Sequence, residues 1–173
     1  MRFPKIIFLA FLLVACASIH VNYDYDKTIN FENYKTYQYF ADMQTGFSEL
    51  DTNRLLDAID SKMQTLGYSV SETPDFYIDI KSQTYQDVQG SSVGVGLGGG
   101  GGHVGGGVSI GIPVGQSHTN CKMTIDFVDH AKKQLFWQAL SDFSFNPTQT
   151  PDQKEETFKR LIEKVLSQYP PEL

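Results

Sequence analysis

Apolar and polar residues alternate over residues 19–25, with Val21, Tyr23 and Tyr25 on one side, which predicts a first strand. Residues 34–40, rich in Tyr and Thr, predict a second. The polar stretch 26–31 between them reads as a connection. The period then changes. Leu55, Leu56, Ile59, Met63 and Leu66 recur at helical spacing and predict a helix over 50–66, with Gly67 placed to stop it. A short extended piece at 68–70 follows, interrupted by Pro74.

Strict alternation returns over 75–86, where Phe76, Ile78 and Ile80 share one face and Tyr77, Asp79 and Lys81 the other. Cys121, Met123, Ile125 and Phe127 alternate with Lys122, Thr124 and Asp126. A turn at 129–132 then leads to a strand over 135–145, in which Phe136 and Trp137 are the heaviest core candidates. These last two strands predict a long antiparallel hairpin. The final element has a complete start signal: Thr150 as cap, Pro151 at the first helical position and Gln153 to close a capping box. Phe158, Leu161, Ile162, Val165 and Leu166 form its apolar stripe, and Pro170-Pro171 ends it. The predicted fold class is α+β: an antiparallel-rich sheet with two amphipathic helices on one face and a glycine-rich insertion between strands.

One apolar run fits neither period. Ile6 to Ala15 are ten consecutive apolar residues behind Arg2 and Lys5, too short for the roughly 20 that span a bilayer. They read as the core of a secretory signal peptide. The run ends Leu13-Val14-Ala15-Cys16, and this resembles the lipobox of bacterial lipoproteins, in which Cys16 would become the acylated first residue of the mature chain. Ala17 is not the Asp that retains lipoproteins in the inner membrane, so the outer membrane of a Gram-negative bacterium is expected. The expected organisation is a signal peptide over 1–15, a lipidated tether over 16–20 and one periplasmic domain over 21–173.

Charge agrees with that address. The 173-residue chain carries 14 basic and 20 acidic residues, a net of −6. Removing Arg2 and Lys5 with the leader lowers the basic count from 14 to 12 and the net charge to −8. An acidic body is repelled weakly by an anionic membrane, so the domain is expected to stand off on its tether. Nucleic acid is excluded as an expected partner, because phosphate binding needs clustered Lys and Arg.

Thirteen of the 15 glycines fall between Gly90 and Gly115, inside an expected loop over 90–117. Gly94-Val95-Gly96-Leu97-Gly98-Gly99 matches the dinucleotide fingerprint formally, but more glycine follows where a helix is required. The segment reads as a flexible loop, or as a Gly/Val ribbon, since Val93, Val95, Leu97, Val104, Val108, Ile110 and Ile112 keep a rough period of two.

Catalytic chemistry finds little footing. His20, His103, His118 and His130 are scattered, and His118 with Cys121 would fall on opposite faces of a strand. No catalytic, cofactor-binding or metal-ligating residue is therefore assigned, and no cofactor is expected. Cys121 reads as a small core residue; disulfide dimerisation is the other reading. Asp24, Asp26, Asp79 and Asp126 are candidates for a carboxylate pair, or solvated strand charges. Tyr23, Tyr25, Tyr34 and Tyr37 are either sheet packing or a carbohydrate or peptide groove, and Phe143 and Phe145 read as edge packing.

Several pieces occur together in one family. Val21-Asn22-Tyr23-Asp24-Tyr25-Asp26 and Phe31-Glu32-Asn33-Tyr34-Lys35-Thr36-Tyr37 follow the lipobox; Leu66-Gly67-Tyr68 and Pro74-Asp75-Phe76 come next. Thr124-Ile125-Asp126-Phe127-Val128-Asp129 and Leu135-Phe136-Trp137 complete the set. The chain resembles the bacterial lipoproteins of the domain of unknown function numbered four-one-three-six, with Phe40 where a Pro commonly follows the aromatic strand. That resemblance implies one α+β envelope domain and carries no activity. The expected role is a non-catalytic binding or structural module, anchored through lipid on Cys16 and meeting an envelope protein. The alternatives are an auxiliary carrier of a small apolar or lipidic ligand and a hydrolase using a carboxylate pair.

Overall fold

The computed structural model describes residues 18–86 and 119–171; the signal peptide, Cys16, His103, His118 and the glycine tract lie outside them. Among the described residues, β1 (His20–Tyr25), β2 (Thr36–Tyr39), β3 (Ser69–Val70), β4 (Phe76–Gln86), β5 (Thr119–Asp129) and β6 (Leu135–Phe145) form one sheet in the order β1-β6-β5-β4-β2-β3. The β1–β6, β6–β5 and β5–β4 pairs are antiparallel; β2 runs parallel to both β4 and β3. The helices are α1 (Glu49–Thr65) and α2 (Pro151–Val165). This is the α+β class expected from the alternation of periods.

Both helices begin and end as their sequences dictate. The Ser48 hydroxyl accepts from Asp51 N–H at the start of α1. Thr150 and Gln153 cap α2 reciprocally, with Pro151 in the first turn. Gly67 takes φ +86° beyond α1, so that its N–H reaches Gln64 O and Tyr68 N–H reaches Met63 O. That is a Schellman motif, and a residue with a Cβ would be strained there.

Alternation separates the two faces of the sheet. Tyr37, Phe76, Ile78, Ile80, Cys121, Met123, Ile125 and Phe127 are buried, while their sequence neighbours stay partly or fully exposed. The buried side chains join Leu55, Ile59 and Met63 of α1 and Phe158, Leu161, Ile162 and Val165 of α2 in one core. Trp137 pairs with Phe127 and Leu135 with Val128, which leaves Phe136 as an extra residue in a bulge. The bulge explains why two successive residues, Phe136 and Trp137, are both buried. Their rings pack among others: Phe136 stacks on Tyr34 at 4.3 Å, and Trp137 lies tilted against Phe127 at 4.5 Å. The layer in which an apolar ligand would sit is thus filled by aromatic side chains.

Three boundaries move from expectation. β1 starts at His20, and Ile19 already packs against the core, inside the stretch read as tether. β2 begins only at Thr36, because residues 31–33 form a 3₁₀ turn capped by the Asn30 side chain, and Tyr34 turns inward. The hairpin strands are 11 residues each, longer than the apolar run of the first, with β5 beginning at Thr119. Phe40 N–H continues the sheet by donating to Ile78 O at 3.2 Å, a bond that a Pro at this position would not make.

Candidate functional site

The face of the sheet opposite the core is built from the residues between the buried ones. Register sets them in rows. Asn22, Leu140, Thr124 and Lys81 lie side by side across β1, β6, β5 and β4. On one side of that row stand His20, Asp142, Lys122 and Gln83, and on the other Asp24, Gln138, Asp126 and Asp79. A groove of about 890 Å³ runs over the first two rows, lined by His20, Asn22, Lys81, Lys122, Leu140 and Asp142. Leu140, one of its lining residues, is 46% exposed.

Polar contacts order this face. Gln138 Nε2 donates to Asp126 Oδ1 at 2.7 Å, and Lys81 pairs with Asp79. The Asp79 carboxylate raises the Lys81 ammonium above its ordinary value. Tyr85 donates to the Asp142 carboxylate at 2.7 Å, with Lys122 Nζ 5.0 Å from the centre of the Tyr85 ring. Beyond the acidic row, Tyr77 stacks on Phe40 at 4.9 Å and meets the tilted His130 ring at 5.4 Å.

Of the four candidate carboxylates, Asp79 and Asp126 are directly opposed, and Asp24 joins their row through Gln138. Asp26 stands apart, where it accepts from the Thr28 N–H and hydroxyl; those bonds, the hydroxyl's first, lower its pKa. The sequence carries no signal for Gln138 as the partner of Asp126, because the register of β6 on β5 is a tertiary property, whereas Lys81 shares a face with Asp79 by alternation within one strand. His20 bonds Ser18 Oγ at 2.9 Å. No group of three or more His, Cys, Asp or Glu suited to a metal ion occurs among the described residues.

The tyrosine cluster is largely interior. Tyr34 and Tyr37 are buried, and the half-buried Tyr23 donates its hydroxyl to Lys164 O at 2.7 Å. Tyr37 and Tyr39 both donate to Asp60 Oδ1, at 2.7 and 2.6 Å, tying β2 to α1. Tyr34 donates to Asp129 Oδ2 at 2.7 Å. Burial first, then these carboxylates, push the three phenols well above their ordinary range. Sheet packing therefore accounts for Tyr34 and Tyr37, and for Phe143 and Phe145, which are buried too. Cys121 is fully buried, and burial pushes its thiol up to about 11, as suits the core reading. No described helix is long and apolar enough to cross a membrane.

A sheet with one face packed against two helices and the other open defines the chain as an α+β module. It belongs to the family described as Domain of unknown function (DUF4136), matched over residues 21–171. Among solved structures it is similar to a PDZ domain protein from Parabacteroides distasonis, at 12% identity and a TM-score of 0.57. That match covers 90% of this chain, which spans only 37% of the other. It is also similar to the PelC dodecamer from Paraburkholderia phytofirmans, at 8% identity and a TM-score of 0.52, covering 87% of this chain and 96% of that one. Both likenesses speak to the fold. No curated protein matches.

Proposed function

We propose that this protein is a lipoprotein of the bacterial outer membrane, held by acylated Cys16 on its periplasmic side, and that it serves as a non-catalytic binding or structural module. The open face of the sheet is the surface through which it meets an envelope protein. One observation carries the reading: an exposed apolar residue, Leu140, lines a groove of about 890 Å³ together with His20, Lys81, Lys122 and Asp142. Apolar side chains set among polar and charged ones are what protein–protein contacts are generally built from. The lipobox supports the anchor, since two or three acyl chains on one Cys hold a protein to a leaflet where a single chain binds only marginally.

Crosslinking in intact envelopes, followed by recovery of the full-length protein, tests the reading. A partner captured by the wild type and lost on Leu140→Arg is the expected result. A second copy of the chain, as in the PelC dodecamer, is one species that this experiment would reveal. Repeated recovery of no crosslinked species would overturn the binding role. Intact mass of the membrane-extracted protein tests the anchor: acyl mass on a chain beginning at Cys16 and its loss in Cys16→Ser are expected.

A further inference from the structure

The strands give the domain two distinct ends, and the chain's path assigns them. β1 begins at one end, where His20 pairs with Asp142. At that same end Gln86 pairs with Thr119, which in turn pairs with Phe145, so β4 leaves, β5 returns and β6 finishes there. Both helices start there as well. Phe47, just before α1, packs on Phe145 and Phe158 at 5.2 and 5.4 Å, and Lys154 Nζ bonds Asp51 Oδ2 at 3.0 Å across the two first turns. Leu50, in the first turn of α1, is 66% exposed, the most exposed large hydrophobic among the described residues. The opposite end holds the β5–β6 turn and Leu135, itself 49% exposed.

We infer that the end bearing Leu50 lies against the lipid bilayer and that the domain stands end-on, its strands rising from the membrane. The inference rests on the reading of Cys16 as the lipid anchor. Ile19 is already packed against the core, and the three residues from Cys16 to Ile19 reach at most about 11 Å when fully extended. A tether that short cannot hold this end far from the headgroups, whatever the charge of the body. Leu50 is then placed where an apolar side chain gains by leaving water. β6 carries the opposite end away: its 11 residues extend roughly 33 Å at the usual rise per residue. Charge favours this pose over a flat one. Glu49 and Asp152 add acidity to the first turns at this end, but a flat pose would bring the whole acidic body toward an anionic surface. The end-on pose also leaves the open face looking sideways, free to meet a neighbouring protein. It replaces the expectation of a domain standing off on a five-residue tether over 16–20 with one seated at the surface.

The test uses the full-length, membrane-extracted protein in vesicles of phosphatidylethanolamine with a minority of phosphatidylglycerol, containing a headgroup-nitroxide lipid. A fluorophore is attached to Leu50→Cys, Leu140→Cys or Leu135→Cys. All three positions are exposed, whereas the native Cys121 is buried and resists labelling. Quenching several-fold stronger at position 50 than at 135, with 140 intermediate, is the expected result. Glu49→Cys, exposed in the same turn, repeats the near-end measurement should the first variant fold poorly. Strongest quenching at 140, or equal quenching at all three in a chain whose mass shows acylation, overturns the end-on pose and leaves the anchor standing. An unacylated chain that does not bind the vesicles overturns the anchor, and the pose with it.

Discussion

The two faces of the sheet are made by the same strands, often by adjacent residues, yet different forces specify them. On the core face, Phe76 touches the rings of Tyr34, Tyr37, Tyr68, Phe127 and Phe136, with centroids between 4.9 and 6.1 Å. Its neighbour Tyr77 meets Phe40, His130 and Lys133 on the other side. Packing density fixes the first set, because any lost volume leaves a cavity. The second set is held by ring contacts and a cation–π contact at the surface, beside the polar pairs Gln138–Asp126 and Lys81–Asp79. Stability should therefore respond to the core face and partner capture to the open one.

The sharpest break of that comparison is Phe76→Ala. Phe76 is fully buried at the meeting point of five rings, so its truncation should cost about 3–5 kcal/mol, read as a lower midpoint in urea unfolding. A loss below about 1 kcal/mol would mean that the aromatic layer repacks and that the two faces are less distinct than drawn.

Next in size is the charged lock between the helices. Asp51 is buried; burial alone would raise its pKa, but the Lys154 ammonium, the Ser48 hydroxyl and Arg54 together hold it below the ordinary carboxylate value. Asp75 and Asp129 are lowered in the same way, against burial, by backbone N–H groups and by the Thr36 and Tyr34 hydroxyls. A carboxylate depressed in the folded state contributes stability that is complete above its unfolded pKa, near 3.9, and is lost as pH falls through the folded value. Urea midpoints should stay level from neutral pH down to about 5 and fall steeply below 4. Asp51→Ala should lower stability at neutral pH by about 1–3 kcal/mol and flatten the acid limb. An unchanged acid limb would remove Asp51 from the lock.

Leu140→Arg sharpens the comparison from the other side. The residue is 46% exposed, so the change in stability should stay within about 0.5 kcal/mol while envelope crosslinking is lost. A large drop in the urea midpoint would show that Leu140 packs against the domain itself and is not held open for a partner.

How far the sequence shows this division depends on which interactions decide each feature. Caps, stops and periods are local, so α1, α2 and the long strands are legible to within about a residue or two. The class of fold follows from them. Parallel pairing is not local: nothing in 36–39 announces that this strand lies between β4 and β3. Register hides more. Asp79 and Asp126 are both visible as polar positions on alternating strands, but their opposition requires the pairing of two strands separated by the glycine tract. Phe136 and Trp137 stand out as heavy residues, whereas the bulge that buries both is set by their pairing with Phe127 and Val128. The tyrosines teach the converse. Aromatic alternation looks the same whether the rings face water or helices, and only the packed structure sends Tyr34 and Tyr37 inward. The expectation for Cys16 alone needs no fold, because it rests on a linear pattern, an apolar run ending Leu13-Val14-Ala15-Cys16.

The smallest expected effect tests whether the acidic row is a structural device or something more. Asp79 and Asp126 face each other directly, and like charges so placed on a sheet are destabilising by a fraction of a kcal/mol. Lys81 and Gln138 offset that repulsion through their contacts with Asp79 and Asp126. Asp126→Asn removes one charge and keeps an oxygen able to accept from Gln138 Nε2. If the row is only cross-strand pairing, the variant should be more stable by roughly 0.2–1 kcal/mol, and envelope crosslinking should be retained. Abolished crosslinking at unchanged or raised stability would give the carboxylate row a part in the binding face, extending that face from the groove around Leu140 across all three rows.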